Sequence, residues 1–465
     1  MNEKHTRLLK DTVVFAIGNI GSKIILFFLV PLYTHYMTQA EYGVADLVYT
    51  ASELIVPFVS LVVFDAMLRF GLSKDCRPED VLLSSALVLA AGSVLTVALT
   101  PLFGLYPRLA PWKWYLCAYI VLTMLGHVEM NYLKVLDRNK TFAAISILQT
   151  LVLALANIAL LTGAHMGVRG YLIAALCGSS TTVLLALVCG HIPAALRRAR
   201  FDPKLLGQML VFSAPLVLNN VSWWVIQSSD KFMVDLMVGA AALGLYTAAS
   251  KIPSLINVII NIFTQAWGIS SVREIESSND LGFYAEVFHT FTVIAFGASL
   301  LINTVVKPFM GLYVSAEFRS SWQYVPLLLV GASFSAVALY FASLYSALKK
   351  SVRNTTTSLL AAAVNLIVNY IFILRFGVWG AVIGTVAAYV LLAFVRMLDV
   401  LHFLPFAPKW KTFLLNGALA ITQAVLVSLD WHGGLVSLLV LIAFVGNNLP
   451  VLRSMLSGLK RTLRP

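Results

Sequence analysis

Charge is what this sequence has least of. Only 12% of its 465 residues are Asp, Glu, Lys or Arg, while 59% are hydrophobic. Soluble domains carry about 25% charged residues, so a chain this long cannot wet a soluble surface, which excludes a soluble enzyme and a disordered tail. Cysteine is scarce too, at four residues. Cys76 lies in a polar segment, and Cys117, Cys177 and Cys189 lie in apolar runs. With no CxxC pair and no Cys/His spacing, a disulfide scaffold and a metal centre are excluded. Long polar links are missing as well, so no separate soluble domain is available for catalysis. The start lacks a cleavable signal, because the apolar run behind the basic segment Met1–Asp11 continues to about Met37, too long for a signal core. It reads as a retained first membrane helix.

What the chain does have is apolar runs, each long enough to cross a hydrocarbon core of ~30 Å at 1.5 Å per residue. They fall at 11–37, 43–72, 80–105, 112–134, 141–163, 170–193, 204–232, 240–268, 283–307, 320–347, 355–375, 379–402, 411–429 and 434–454. The fold class is an all-α polytopic membrane protein of about fourteen spans. Of the 33 Lys and Arg residues, 23 fall at one set of helix ends, 6 at the other and 4 within spans. Cytoplasmic loops hold the excess of positive charge, so both termini are expected inside. Anionic lipid headgroups account for much of the net +12; nucleic acid is not needed.

The chain also repeats itself. Leu133-Lys134-x3-Arg138-Asn139-x-Thr141 returns as Leu348-Lys349-x3-Arg353-Asn354-x-Thr356, 215 residues later. Gly167-Val168-x-Gly170 returns as Gly377-Val378-x-Gly380, 210 later, and Ala40-x-x-Gly43 as Ala241-x-x-Gly244, 201 later. Each pair is offset by six spans. The expected organisation is a six-helix lobe over 1–200, a second over 201–405, and two further helices with a basic tail over 406–465. Six is even, so the lobes enter the membrane in the same sense, related by a pseudo-two-fold along its normal around a cavity suited to alternating access.

Several segments resemble the polysaccharide-transporter and lipid-linked oligosaccharide flippase family, within the superfamily that includes multidrug extrusion proteins and lipid II flippases. The likeness lies in Leu32-Tyr33-Thr34 through Glu41-Tyr42-Gly43 and in Ala66-Met67-Leu68-Arg69-Phe70-Gly71. It continues in Ser229-Asp230-Lys231-Phe232-Met233 and in Leu243-Gly244-Leu245-Tyr246-Thr247-Ala248-Ala249-Ser250-Lys251-Ile252. The resemblance implies a non-enzymatic flippase carrying a polyprenyl-pyrophosphate-linked oligosaccharide, such as an O-antigen repeat unit, from the inner to the outer leaflet. It implies no resident cofactor. The expected associates are membrane lipid and other polysaccharide-assembly membrane proteins, with the transporter itself a monomer.

A charge in hydrocarbon costs ~2.5–3.5 kcal/mol on insertion scales, so it faces a partner or a wet cavity. The four cations left within spans are Lys23, Arg69, Lys231 and Lys251, on equivalent helices of the two repeats. They are the candidate contacts of an anionic pyrophosphate, Lys as a point charge and Arg as a bidentate fork. Glu53 and Asp65 are candidates for coupling to H+ or Na+, or for ion pairs, Asp65 with Arg69 four residues on. Asp399 is expected to pair with Arg396 or the headgroups. Trp223, Trp224, Asn219, Asn220 and Gln227 make the seventh span polar and aromatic, a candidate sugar-lining face that helix packing would explain equally. Pro215 and Pro253 are candidate kinks. No catalytic or metal-ligating set emerges. The alternatives are an ion-coupled drug/cation antiporter, which would favour an acidic cavity, and a membrane glycan polymerase or ligase, which would need a large outer segment with paired acids.

Overall fold

The structure is a computed structural model that describes residues 21–276, 280–431 and 433–462, with no strand among them. The helices are α1 (21–36), α2 (Gln39–Ser60), α3 (Val63–Gly71), α4 (Pro78–Phe103), α5 (Lys113–Val135), α6 (Asn139–Ile158), α7 (Gly167–Cys189) and α8 (Ile192–Arg198). There follow α9 (Pro203–Met237), α10 (Ala240–Glu276), α11 (Leu281–Tyr313), α12 (Val325–Ala347), α13 (Ser351–Phe376), α14 (Val378–Phe403), α15 (Trp410–Ser428) and α16 (Gly433–Thr462). Every predicted span falls on a helix, although residues 11–20 of the first lie outside the described ones. Twelve candidate spans among the described residues are long and apolar enough to cross a membrane, and the chain is a multi-pass, all-helical membrane protein.

The chain forms two compact units, Met1–Trp224 and Val225–Pro465, with the cut inside α9. In the first, α5 is central and packs on α2, α3, α4 and α7, with α6 against α7. In the second, α12 is central and packs on α10, α11, α14 and α15, with α13 against α14. The same pattern of neighbours recurs because the same motifs shape the links. Gly167 and Gly377 both hold positive φ, +50° and +58°, which favours glycine. At Gly170 an added Cβ would stand 3.2 Å from that of Leu160, and at Gly380 it would strike the backbone of Phe372. Glycine is what lets the turn that ends α6 approach α7, and α13 approach α14.

One repeat is offset differently from the sequence match. α5 closes with Asp137 at φ 58° and Arg138 N–H donating to Leu133 C=O at 2.9 Å. α12 closes the same way, with Lys349 at φ 57° and Lys350 N–H donating to Tyr345 C=O at 2.8 Å. These left-handed caps pair Asp137 with Lys349 and Arg138 with Lys350, three residues away from the alignment by shared Lys, Arg and Asn. Backbone geometry fixes the equivalence, and the shared side chains slipped by nearly one turn.

The second predicted span is also corrected. It breaks between α2 and α3, where Leu61 and Val62 both take left-handed φ, 48° and 54°. Such a conformation costs an L-residue ~1–2 kcal/mol. Pro57 has already removed one helical donor, and Ser60 Oγ takes over locally, donating to Val56 C=O at 2.7 Å and accepting from Val62 N–H at 3.2 Å. By contrast, α9 and α10 run as continuous helices through Pro215 and Pro253. α2 starts on a capping box: Glu41 N–H donates to Thr38 Oγ1 at 3.2 Å and Thr38 N–H to Glu41 Oε2 at 2.9 Å.

Candidate functional site

In the first unit, helical spacing places Tyr119, Thr123, His127, Asn131 and Lys134 on one face of α5, since each lies three or four residues after the last. All five line a cavity of about 420 Å³, closed on its other sides by residues including Phe64, Phe142, Gln149, Ser179 and Thr182. The polar groups are tied together. Asn131 Nδ2 donates to Phe64 C=O at 2.7 Å, Lys134 Nζ to Asn131 Oδ1 at 3.1 Å and Thr182 Oγ1 to Gln149 Oε1 at 2.8 Å. Lys134 Nζ also sits 4.6 Å from the centre of the Phe142 ring, and His127 packs edge-on to Phe64 with ring centres 5.0 Å apart. Sequence reading counted Lys134 among the headgroup cations and found no pattern in the histidines. The signal was the three-and-four spacing of polar residues through an otherwise apolar span.

In the second unit, four helices bring polar side chains together at Asp230, which is 1% exposed. Thr385 O–H donates to Asp230 Oδ2 at 2.9 Å, Tyr246 O–H donates to the same oxygen, and Lys231 N–H donates to Oδ1 at 2.9 Å. Beside it, Ser229 Oγ and Asn369 Nδ2 both donate to Asn365 Oδ1, at 3.2 and 3.0 Å. Asn365 Nδ2 and Asn369 Oδ1 are buried without a hydrogen-bond partner. Gly384 provides the space, because a Cβ there would strike Asn369 Oδ1. The sequence offered Asp230 only as the neighbour of Lys231; the Asn365-x3-Asn369 spacing on one helix face was the missed signal.

Lys23 is exposed on α1, Arg69 is exposed on α3, and Lys231 and Lys251 are half-buried on α9 and α10. Glu53 is exposed on α2, within electrostatic reach of Tyr49 and Tyr119. Asp65 feels the field of Lys134, and among the described residues it makes no ion pair with Arg69. The expected Asp65–Arg69 pair is therefore not formed: the nearby cation is on α5, not on its own helix. Trp224 Nε1 donates to Thr50 C=O of α2 at 2.9 Å, and Asn220 Nδ2 to Leu216 C=O of its own helix at 2.9 Å. Trp223 and Asn219 are half-buried, and Gln227 is exposed.

The expected partners of Asp399 and Arg396 also change. Asp399 does not pair with Arg396. It accepts from Arg353 at 3.2 Å and from Tyr345 O–H at 2.6 Å. Arg396 is fully buried and donates to four neutral acceptors: Thr357 Oγ1, Ala338 C=O, Asn354 C=O and Ser358 Oγ, at 2.8–3.3 Å. It clamps α12, α13 and α14 rather than meeting lipid. Glu129 is 6% exposed and buried in the first unit.

A family model described as "Polysaccharide biosynthesis protein" matches residues 8–267. The fold matches the lipid II flippase MurJ in an inward closed conformation, at 14% identity and TM-score 0.71, covering 96% of this chain and 100% of that one. It also matches a multidrug resistance MATE family transporter of the MOP superfamily in its inward-facing conformation, at 15% identity and TM-score 0.66, over 82% of this chain and 98% of that one. A third match is a MOP superfamily transporter from Pyrococcus furiosus, described as having reverse polarity of its binding pocket, at 15% identity and TM-score 0.62, over 85% and 96% of the two chains. No curated protein matches.

Proposed function

The chain belongs to the polysaccharide biosynthesis protein family, and we propose that it is a non-enzymatic flippase for a polyprenyl-pyrophosphate-linked oligosaccharide, an O-antigen-type repeat unit. It works as a monomer in the bacterial inner membrane, N-in and C-in, moving its cargo from the inner to the outer leaflet by alternating access through a cationic cavity. Its working organisation is a lobe over 1–200, a lobe over 201–405 and an appendix over 406–465. The observation that carries this reading is the set of intramembrane cations, Lys23, Arg69, Lys231 and Lys251, in a chain with a flippase-type fold. An anionic pyrophosphate gives such cations a role, whereas a cationic drug would be repelled by them. Trp223, Trp224, Asn219, Asn220 and Gln227 are the proposed sugar-facing set, with the Trp224 and Asn220 donors already engaged in packing.

The coupling ion, H+ or Na+, finds a better match in Asp230 than in Glu53 or Asp65. Asp230 is held by two hydroxyls, and in the same unit the buried amide oxygen Asn369 Oδ1, on α13, has no partner. A carboxylate with neutral oxygens suits a monovalent cation or a transferable proton. Removing the charge with Asp230→Asn should abolish the dependence of transport on an ion gradient.

The antiporter reading is separated by one reconstitution. In proteoliposomes carrying the purified chain, a lipid-linked sugar should become accessible to an external lectin while a cationic dye is not exported. Dye export without lectin access would reverse the assignment.

A further inference from the structure

The polar stripe on α5 runs almost the length of a membrane helix. From Tyr119 to Lys134 it spans fifteen residue steps, about 22 Å at 1.5 Å per residue. Polar groups at this density in a membrane helix must face protein, water or ligand, and here they face a cavity of about 420 Å³. That is within the range of small-molecule sites, ~300–1,000 Å³. His127 makes the point locally: it is exposed although it lies in the middle of α5, and the space it opens into is this cavity.

The lining chemistry narrows the occupant. Hydroxyls and amides come from three helices beside flat aromatic faces, a combination that suits the alternating polar and apolar faces of a pyranose ring. The lining set contains Lys134 and His127 and no carboxylate. Asp65 reaches Lys134 through its field without lining the cavity, and Glu53 acts near Tyr119, at the far end of the stripe. The cavity is therefore polarised, with its cation at the end that the charge bias assigns to the cytoplasm. Lys134 Nζ is aligned by Asn131 and Phe142 and has donor capacity left, since an ammonium offers three hydrogens.

We propose that this cavity in the first unit binds a single acidic sugar residue, a hexuronate, with its carboxylate at Lys134 and its ring along the α5 stripe. The inference rests on the reading that the cargo is a glycan, and it adds that the glycan carries a carboxylate.

The test is calorimetric titration of the full chain in nanodiscs with glucuronate, glucose and inorganic phosphate. Glucuronate should bind saturably, at least 5-fold more tightly than glucose or phosphate. Lys134→Gln should weaken it about 10-fold while Lys134→Arg largely restores it, and the cavity-filling Ser179→Leu should abolish it. The wild-type comparison needs no variant to fold. Absence of saturable glucuronate binding, equal binding of glucose, or indifference to Lys134→Gln in a folded variant overturns the proposal. Phosphate binding as tight as glucuronate also overturns it, leaving a plain anion site. Flipping of a lipid-linked sugar that carries a glucuronate residue, by the same preparation, is the parallel readout. Flipping without glucuronate binding rejects this inference alone, and binding without flipping rejects the proposed function.

Discussion

The two central helices, α5 and α12, have equivalent neighbours and the same left-handed exit, yet their surroundings have diverged. Around α5 the first unit is hollow and polar. Around α12 the second is filled with aromatic rings: Tyr340 stacks on Trp267 with centroids 4.8 Å apart and planes 12° apart, and Phe288 and Phe291 lie at 5.2 and 5.9 Å. Trp267 Nε1 closes the stack by donating to Tyr340 C=O at 3.3 Å. A duplicated bundle thus keeps its helix-packing pattern, which glycine contacts and caps impose, while its interior is free to change. The first unit keeps an open polar cavity, and the second packs an aromatic core around its central helix.

The sharpest way to break this comparison is to hollow the second unit. Trp267→Ala should cost about 3–5 kcal/mol, the usual result of deleting a large buried aromatic, read as a fall in thermal unfolding temperature of the purified protein. Thr182→Ala, on the wall of a space that already exists, should cost no more than ~1 kcal/mol. Similar losses for the two would mean that the interiors do not differ as described.

A second comparison concerns the paired glycines. Gly380→Ala drives a methyl into the Phe372 backbone, for which overpacking of ~3 kcal/mol is expected, whereas Gly170→Ala meets the Cβ atoms of Met166 and Leu160 at 3.1 and 3.2 Å, a tight contact rather than an overlap, and should cost ~1 kcal/mol. Unfolding of the two variants side by side checks the order. Smallest is Arg353→Gln. It removes a pair with Asp399 in which the Arg353 side chain is 58% exposed, so a loss below ~1 kcal/mol is expected. A larger loss would mean that the Asp399 link, and not Arg396, ties α13 to α14.

The helices were legible because membrane length and an apolar run are one signal, and the motifs that recur at Gly167 and Gly377 did mark equivalent turns. The break at Leu61–Val62 was not legible, since neither residue type favours a left-handed turn and the cause lies in Pro57 and Ser60 upstream. The repeat offset at the α5 exit was misread because Lys and Arg recur near helix ends for reasons of topology. Composition similarly concealed Lys134 and Arg396: both sit where headgroup cations belong, and only packing shows that one borders a cavity and the other clamps three helices. Asp230 was visible only as the neighbour of Lys231, and its side-chain partners Tyr246 and Thr385 come from α10 and α14, distant in sequence and without a shared motif.

The central claim is that intramembrane cations receive an anionic lipid headgroup. The most direct test is lectin access to a polyprenyl-pyrophosphate-linked sugar in proteoliposomes carrying the double charge reversal Lys23→Glu with Lys251→Glu. The account predicts a loss of flipping of at least 10-fold, with normal insertion and unfolding temperature. Wild-type flipping by a stably inserted double variant would contradict it.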